Sequence, residues 1–369
     1  MLIHVVPYLP PSISGVGDYA FELARTLRNG HSLDSAFVVC DLSYREKKLD
    51  GFLVESILQH TPGALFDACN HLARAQKSRA SAVLIHYVGY GYHSRGAPLW
   101  FAQAVRRLKR DVGEHAVPSR VLTVFHELFA MGRLWESSFW LSPMQRLLAK
   151  DIARMSDGIM TNRAASARWL GRARGRMQPC PLHWLPVFSN VGEPAELTAV
   201  TERPRTAVIW GSAETRQRIY RTQVALLGEF VRAQGIKELH DIGATASVFP
   251  DFGKHIRTIA HGLLPPDQIG KILRGARFGF FDYNLDYLTK SGIYAAYCAY
   301  GLVPVHITAS EQSSKINNQP MLPLTIAARR AIGDAELIEL SKSTREWYLP
   351  HSKQEHAKVI RALLQEPAA

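Results

Sequence analysis

Short runs of apolar residues recur along the first half of the chain, each bounded by polar or turn-forming residues. Runs of this length that are rich in β-branched residues are typical of strands buried on both faces of a sheet. They predict five strands, at residues 2–6, 36–40, 82–86, 121–125 and 158–161.

The segments between these runs have a different period. Their apolar residues recur at three- and four-residue spacing, with arginine and lysine on the opposite face. This pattern indicates amphipathic helices, which we expect at residues 19–28, 64–79, 99–111 and 143–155. Strands that alternate with helices in this way form a parallel sheet covered by helices.

The alternation stops in a stretch rich in proline, glycine and polar residues and then restarts. Such a break marks a linker between domains. Beyond it we expect strands at 207–210, 238–242, 278–281 and 303–306, and helices at 220–234 and 294–300. The prediction is therefore an α/β protein with two Rossmann-like parallel-sheet domains that face each other across a cleft. Its parts are residues 1–190, a linker at 191–205, residues 206–343, and C-terminal helices at 344–369 that could cross back to the first domain.

Composition supports a two-domain globular protein. A chain of 369 residues is longer than one hydrophobic core usually grows, and its 47% hydrophobic and 21% charged residues lie in the ordinary globular range. The four cysteines are scattered without the spacing of a zinc site. No secretory signal and no apolar run of about 20 residues is visible, so we expect a cytoplasmic protein.

The net charge of +12 indicates a negatively charged partner. Nucleotides, nucleic acids and anionic lipids all meet that description. The basic residues are dispersed over helix faces, and no nucleic-acid-binding motif is present, so a nucleic acid is not expected. A peripheral contact with an anionic membrane, at its inner face, stays open.

The loop after the first strand contains Gly15, Gly17 and Asp18 and leads into the first helix. Glycines allow the backbone to approach a phosphate, and a helix N-terminus offers N–H groups to it. With Asp41 the loop also fits a dinucleotide fingerprint, but the first glycine lies too far beyond the strand for that tight turn. An ordinary helix start is the remaining alternative.

A second loop, between a buried strand and a helix of small residues, contains Lys290, Ser291 and Gly292. A lysine, a hydroxyl and helix-start N–H groups together suit a diphosphate. The plainer alternative is a serine N-cap beside a solvated lysine.

Two further groups follow strands. Arg216 and Arg218 come after the first strand of the second domain, where either could contact a ligand or be solvated. His86 and His126 lie at strand ends, where parallel sheets bind ligands. A histidine there can accept a proton or bind a substrate hydroxyl, or it can merely satisfy a loop carbonyl.

Four segments, in this order, resemble glycosyltransferases of the GT-B fold, most closely those of family 4. They are the loop at 10–19, His126 after a central strand, the Ser-Asn-Val-Gly sequence at 189–192 and the Tyr-Gly-Leu-Val-Pro-Val sequence at 300–305. The resemblance covers essentially the whole chain. It implies a nucleotide-sugar donor bound by the second domain and a glycan or lipid-linked acceptor bound by the first, in polysaccharide or glycolipid assembly. No metal-binding or P-loop motif is visible in the sequence, so we expect neither a metal site nor a cofactor.

The resemblance also implies roles for single residues. Gly15 and Gly17 would face the donor diphosphate, His126 the donor sugar, and Ser291 with Gly292 a phosphate. Arg216 or Arg218 occupies the place of a basic phosphate contact. The sequence departs from the family at Leu288 and Ala296, where that family has two glutamates, which puts the donor and the stereochemical outcome in doubt.

The mechanism expected is metal-independent glycosyl transfer, with the leaving diphosphate neutralised by Lys290, an arginine and helix N-termini. If the reaction inverts the anomeric centre, Asp18, His86 and His126 are the candidate bases. If it retains the configuration, the leaving phosphate can serve. A nucleotide-sugar epimerase of the same fold, and a non-catalytic relic that binds nucleotide or glycan, stay open as alternatives.

Overall fold

The computed structural model describes residues 1–75, 81–110, 120–130, 137–175, 180–245, 249, 251–253, 256–307 and 319–365, without the side chains of 137–139. The chain divides into two compact units. Met1–Pro186 and Lys353–Ala369 form the first unit, and Val187–Ser352 forms the second. Each unit is built on one mostly parallel sheet with helices, which confirms the predicted α/β class.

The first unit contains an eight-stranded sheet. Its strands are β1 (Leu2–Val6), β2 (Ser35–Val39), β3 (Lys48–Leu49), β4 (Phe52–Ser56), β5 (Ala82–Tyr87), β6 (Val121–Phe125), β7 (Gly158–Thr161) and β8 (Leu182–Trp184). Their spatial order is β3-β4-β2-β1-β5-β6-β7-β8, and only the β3–β4 pair is antiparallel. The chain moves outward from β1 in one direction and returns to β5 on the other side, so the topological switch point lies between β1 and β5.

Helices cover both faces of this sheet. They are α1 (Gly15–His31), α2 (Pro62–Ala75), α3 (Gly89–Tyr92), α4 (Leu99–Arg110), α5 (Ser137–Met155) and α6 (Ala164–Arg174). Val5, Val83 and Phe101 belong to the core between the sheet and α2, α4 and α5. On the opposite face, α1 packs through Ala20 against a smaller cluster that includes Phe37.

The second unit contains a six-stranded, wholly parallel sheet. Its strands are β9 (Thr206–Trp210), β10 (Glu238–Ile242), β11 (Arg257–Ala260), β12 (Phe278–Phe281), β13 (Val303–His306) and β14 (Leu322–Pro323). The order β11-β10-β9-β12-β13-β14 is the 3-2-1-4-5-6 order of dinucleotide-binding Rossmann sheets. The switch point therefore lies between β9 and β12.

The helices of the second unit are α7 (Ala213–Thr222), α8 (Val224–Ala233), α9 (Pro266–Gly275), α10 (Gly292–Ala299), α11 (Leu324–Ala327) and α12 (Asp334–Tyr348). The last helix of the chain, α13 (Lys353–Gln365), belongs to the first unit and packs there against α1.

Five strands, four helices and one helix break differ from the sequence-based expectations. The strands β3, β4, β8, β11 and β14 were not predicted, because they are short, only partly buried and mixed with polar or turn-forming residues. The helices α3, α6, α9 and α11 were not predicted either. The helix expected over 220–234 is two helices that meet at Gln223. The ends predicted at 76–79 and 111 lie outside the described residues.

Candidate active site

The switch point of the first sheet gathers several of the predicted site residues. Gly15, Gly17 and Asp18 follow β1 at the start of α1, and His86 is the penultimate residue of β5. His126 directly follows the neighbouring strand β6. In open parallel sheets, ligands bind outside the carboxyl ends of the strands at such a point.

At the start of α1, close packing requires a glycine at position 17 but not at position 15. Ser14 is the N-cap, and its hydroxyl accepts a hydrogen bond from the Gly17 amide at 3.3 Å. A Cβ on Gly17 would lie 2.5 Å from the carbonyl oxygen of Tyr8, so the glycine permits close packing of α1 on the preceding loop. A Cβ on Gly15 would meet no atom within 4 Å. Of the two glycines, Gly15 is the one whose backbone is open to a ligand.

His86 and His126 belong to a row of buried polar side chains that crosses the sheet diagonally. His126 Nε2 lies 3.2 Å from His86 Nδ1, His86 Nε2 lies 3.1 Å from His4 Nδ1, and His4 Nε2 lies 3.2 Å from Ser35 Oγ. The four residues lie on or next to strands β2, β1, β5 and β6, which are neighbours in that order. Between adjacent strands, each residue lies two positions along the chain from the residue that pairs with its neighbour. We call this set the histidine row.

The histidine row is almost entirely removed from water. His4, His86 and Ser35 are fully buried, and His126 is 7% exposed. Burial lowers the pKa of His4 to about 3. Burial, together with the two neighbouring imidazoles, lowers the pKa of His86 well below its ordinary value. Both imidazoles are therefore neutral at physiological pH.

Two helices close over the histidine row. The ring of Tyr19, on α1, contacts the ring of His126 edge-on at a centroid distance of 4.9 Å. The Tyr19 hydroxyl donates to His356 Nδ1, on α13, at 2.7 Å, and His356 Nε2 donates to the Pro186 carbonyl at 2.8 Å. Asp18 is half-buried in the first turn of α1, where the helix dipole favours a negative charge.

In the second unit, Arg216 is fully buried. Its guanidinium pairs with Asp241, donates from Nε to the Gly211 carbonyl at 3.1 Å, and donates to the Ala244 carbonyl. The Tyr220 hydroxyl donates to the other oxygen of Asp241. Arg216 thus ties together the segments that follow β9 and β10, and its role here is in the fold.

Arg218, two residues further along α7, has its guanidinium at the surface. Its side chain is 51% exposed, and Nε and Nη2 contact one carboxylate oxygen of Asp282 at 2.9 and 2.8 Å. Asp282 directly follows β12, so this ion pair spans the switch point of the second sheet. An exposed pair of this kind contributes at most about 1 kcal/mol, and its significance is where it places a cation.

The other predicted residues of the second unit meet at the start of α10. Ser291 is its N-cap, with Oγ accepting from the Tyr294 amide at 3.2 Å. The Lys290 ammonium lies 5.7 Å from the ring centroid of Tyr287. Beside Gly292 lies Asn190, whose buried Oδ1 has no hydrogen-bond partner in the described structure. The helix start therefore combines backbone N–H groups with a lysine just before the cap and a buried side-chain amide beside Gly292.

Several residues of these sites were missed by reasoning from the sequence. His4, Ser35, Tyr19 and His356 join the first site, and Asp282 joins the second. A histidine in the middle of an apolar strand, as in Leu2–Val6, is the one signal that pointed to His4.

Among the described residues, no group of three or more His, Cys, Asp or Glu side chains is placed to hold a metal ion.

Comparison with solved structures finds this fold in several enzymes. A trehalose-6-phosphate synthase, OtsA, matches with a TM-score of 0.63 and 12% identity over 100% of both chains. An alpha-glucosyltransferase in complex with UDP matches with a TM-score of 0.58 and 11% identity over 99% of both chains. A putative UDP-N-acetylglucosamine 2-epimerase from Listeria monocytogenes matches with a TM-score of 0.54 and 13% identity, over 99% of this chain and 95% of the other.

At these identities the similarity shows the fold alone, and that fold is GT-B. A scan against protein-family models finds no match, and a search of curated proteins finds no relative.

Proposed function

We propose that this protein is a glycosyltransferase that moves a hexose from a nucleoside-diphosphate sugar to a glycan or lipid-linked acceptor. The observation that carries the proposal is the start of α10, at the switch point of a sheet with Rossmann order. There, Ser291 caps the helix, Lys290 directly precedes the cap, and Asn190 lies beside Gly292. The alpha-glucosyltransferase of the same fold binds UDP.

In this proposal the second unit binds the donor. The amides of Gly292 and Ile293, in the first turn of α10, donate to a phosphate, and the helix dipole adds to the attraction. Lys290 and Arg218 supply the positive charge that neutralises the leaving diphosphate, so the reaction requires no metal ion. Arg218 can turn from Asp282 to phosphate at little cost, because an exposed ion pair is weak.

The first unit supplies the acceptor side. Gly15 opens the backbone at the start of α1, Asp18 lies in the first turn of that helix, and His126 directly follows β6. His86 has no surface of its own and acts through His126. Inversion requires a base among these groups, whereas retention leaves that task to the donor phosphate.

The donor sugar is not identified by the family pattern. Leu288 and Ala296 occupy the positions of the two expected glutamates, and both are buried. A carboxylate is therefore not available at either place to hold the sugar or the ribose. We propose that Lys290 and Asn190 take part of that role.

The epimerase of the same fold keeps a second function open. An epimerase converts the donor without an acceptor, so incubating the donor alone separates the two. A new nucleotide sugar would indicate epimerisation, and a free sugar with released nucleotide would indicate transfer to water. A relic would bind nucleotide and convert nothing.

Thermal unfolding in the presence of nucleotides tests the proposal directly. We expect one of UDP, GDP, dTDP and ADP to raise the unfolding midpoint equally with and without magnesium, because a ligand that binds only the folded state stabilises it. NAD serves as the control for the dinucleotide alternative. A shift with NAD alone would contradict the assignment, and no shift with any diphosphate would favour the relic.

The same experiment tests Lys290. We expect Lys290→Ala to weaken binding of the selected diphosphate by about 10–100-fold, which corresponds to about 1.5–3 kcal/mol for one charged hydrogen bond. Lys271→Ala is the matched control, because Lys271 is an exposed lysine on α9 of the same unit. Equal affinity of the two folded variants would remove Lys290 from the site.

A lipid-linked acceptor would bring the protein to a membrane surface, and α5 offers the face for it. Trp140, Met144 and Leu147 are 72%, 46% and 52% exposed and lie on one side of the helix. Lys150 and Arg154 continue the same side. None of the helices in the described part of the chain is both long and apolar enough to span a bilayer. We propose that this face of α5 rests on the anionic inner surface of the membrane, as interfacial helices do.

Gln145 fixes this helix in place. Its side-chain oxygen accepts from the Ala130 amide at 2.8 Å, and its nitrogen donates to the Arg95 carbonyl at 3.0 Å. Asp151, the one carboxylate on the exposed side of α5, lies 3.6 Å from Arg106 of α4, which offsets its charge.

Vesicle co-sedimentation tests the membrane contact. We expect binding to vesicles rich in phosphatidylglycerol at low salt, weaker binding at high salt, and a loss of about tenfold or more in Trp140→Ala. Leu263→Ala, at an exposed apolar residue of the second unit, should bind as the original protein does. Binding to duplex DNA in place of vesicles would overturn the lipid assignment.

A further inference from the structure

The histidine row has a direction that determines what His126 can do. In each N···N contact of the row, one ring nitrogen must donate and the other must accept. Since His4 and His86 are buried without a carboxylate partner among the described contacts, both are neutral, and each carries one N–H. The tautomers of neighbouring rings are therefore coupled, and reversing one requires reversing all.

Two arrangements satisfy the contacts between the rings. In the first, Ser35 donates to His4, His4 donates from Nδ1 to His86, and His86 donates from Nδ1 to His126. In the second, every bond runs the other way, from His126 to Ser35. For a neutral His126 imidazole they differ at the two ends: the first leaves the proton on Nδ1, and the second leaves Nδ1 with a lone pair.

Ser35 decides between the two arrangements. Its hydroxyl is fully buried, and within the described residues its one hydrogen-bond partner is His4 Nε2. In the first arrangement the hydroxyl proton has an acceptor. In the second the hydroxyl accepts from His4, and its own proton is left buried without an acceptor. An unmade buried hydrogen bond disfavours that state by about tenfold or more.

We propose that the histidine row is held in the direction Ser35, His4, His86, His126, so that His126 carries its proton on Nδ1 and acts there as a hydrogen-bond donor and not as a base. His4, His86 and Ser35 are then positioning residues. Of the candidate bases, this leaves Asp18, in the first turn of α1. The role of His126 in catalysis rests on the proposed function, whereas the positions of the ring protons do not depend on it.

The nearby His356 provides an internal reference. It accepts at Nδ1 from Tyr19 and donates from Nε2 to the Pro186 carbonyl, so it has the opposite tautomer. The same unit therefore contains three histidines expected with the proton on Nδ1 and one expected with the proton on Nε2. A method that reads tautomers can compare them within one sample.

Long-range proton–nitrogen NMR of the full chain with ¹⁵N-labelled histidine tests the proposal. We expect Nδ1–H at His4, His86 and His126, and Nε2–H at His356, with the four assigned through single histidine-to-glutamine variants. Ser35→Ala should convert the row to a mixture of tautomers, because neither direction then satisfies His4. Ser35→Thr keeps the hydroxyl and should restore Nδ1–H. Nε2–H along the row of the original protein, or an unchanged row in Ser35→Ala, would overturn the proposal.

The pH profile provides the functional readout. With a nucleotide sugar chosen by the nucleotide screen, the acid limb of kcat should persist in His126→Gln, because His126 is not the base, while KM for the acceptor rises. Loss of that limb in His126→Gln would make His126 the base and would overturn its assignment as a hydrogen-bond donor. If no transfer occurs at all, the proposed function fails, and the tautomers still test the direction of the row.

Discussion

Lowering the pH from 6.5 to 4.5 should reduce the free energy of unfolding of the first unit by about 5 kcal/mol. His4, whose folded pKa is about 3, and His86, whose pKa is also strongly lowered, stay neutral in the fold over this range. An unfolded histidine has a pKa near 6.5 and takes up a proton. The unfolded state then binds more protons, so stability falls with pH by about 1.4 kcal/mol per unit for each of the two.

The acid loss can be measured by urea unfolding, followed through the histidine signals of the first unit. Tyr19 and His356 are the titratable side chains that face the row from α1 and α13. His4→Leu should show a shallower decline below pH 6.5, even if its stability at neutral pH is lower. His71→Gln is the control, since His71 is exposed. A decline of equal slope in all three proteins would mean that other groups cause the acid sensitivity.

The sequence predicted those strands best whose residues are apolar on both faces. Strands β1, β6, β7, β12 and β13 begin and end at the predicted residues, and β10 does so although three of its five residues are polar. β3 and β4 lie toward one edge of the first sheet, where polar and apolar positions mix, and the apolar run of β4 is only three residues long. Periodicity therefore finds the centre of a parallel sheet more readily than its edge.

The histidine row could not be predicted, because it depends on register. His4, His86 and His126 are far apart in the chain, and they meet because each adjacent strand is offset so that a histidine lies two residues beyond its neighbour's partner. The sequence showed a histidine at the end of β5 and another after β6. The pairing of the strands alone makes them one hydrogen-bonded set.

The two arginines of α7 show a limit of another kind. Arg216 and Arg218 are two residues apart, so a helix directs them to different sides. Arg216 shares its side with Ile219 and Tyr220, three and four residues later, and all three are buried. That spacing was the available signal for burial, but a buried arginine is expected only when a carboxylate partner is known. Asp241 comes from β10, and only the fold identifies it.

Because Arg216 depends on that partner, Asp241→Ala should destabilise the second unit by about 3–5 kcal/mol, the cost of leaving a buried charge uncompensated. Both oxygens of Asp241 are engaged, by Arg216 and by Tyr220, and both partners are buried. Replacing Arg216 by methionine and Asp241 by leucine together should cost less than Asp241→Ala, since no charge then remains in the interior. Arg330→Ala, which breaks the exposed pair with Glu336, should cost under about 1 kcal/mol. These values can be compared by urea unfolding, and an Asp241→Ala effect as small as that of Arg330→Ala would contradict a buried, structural role for Arg216.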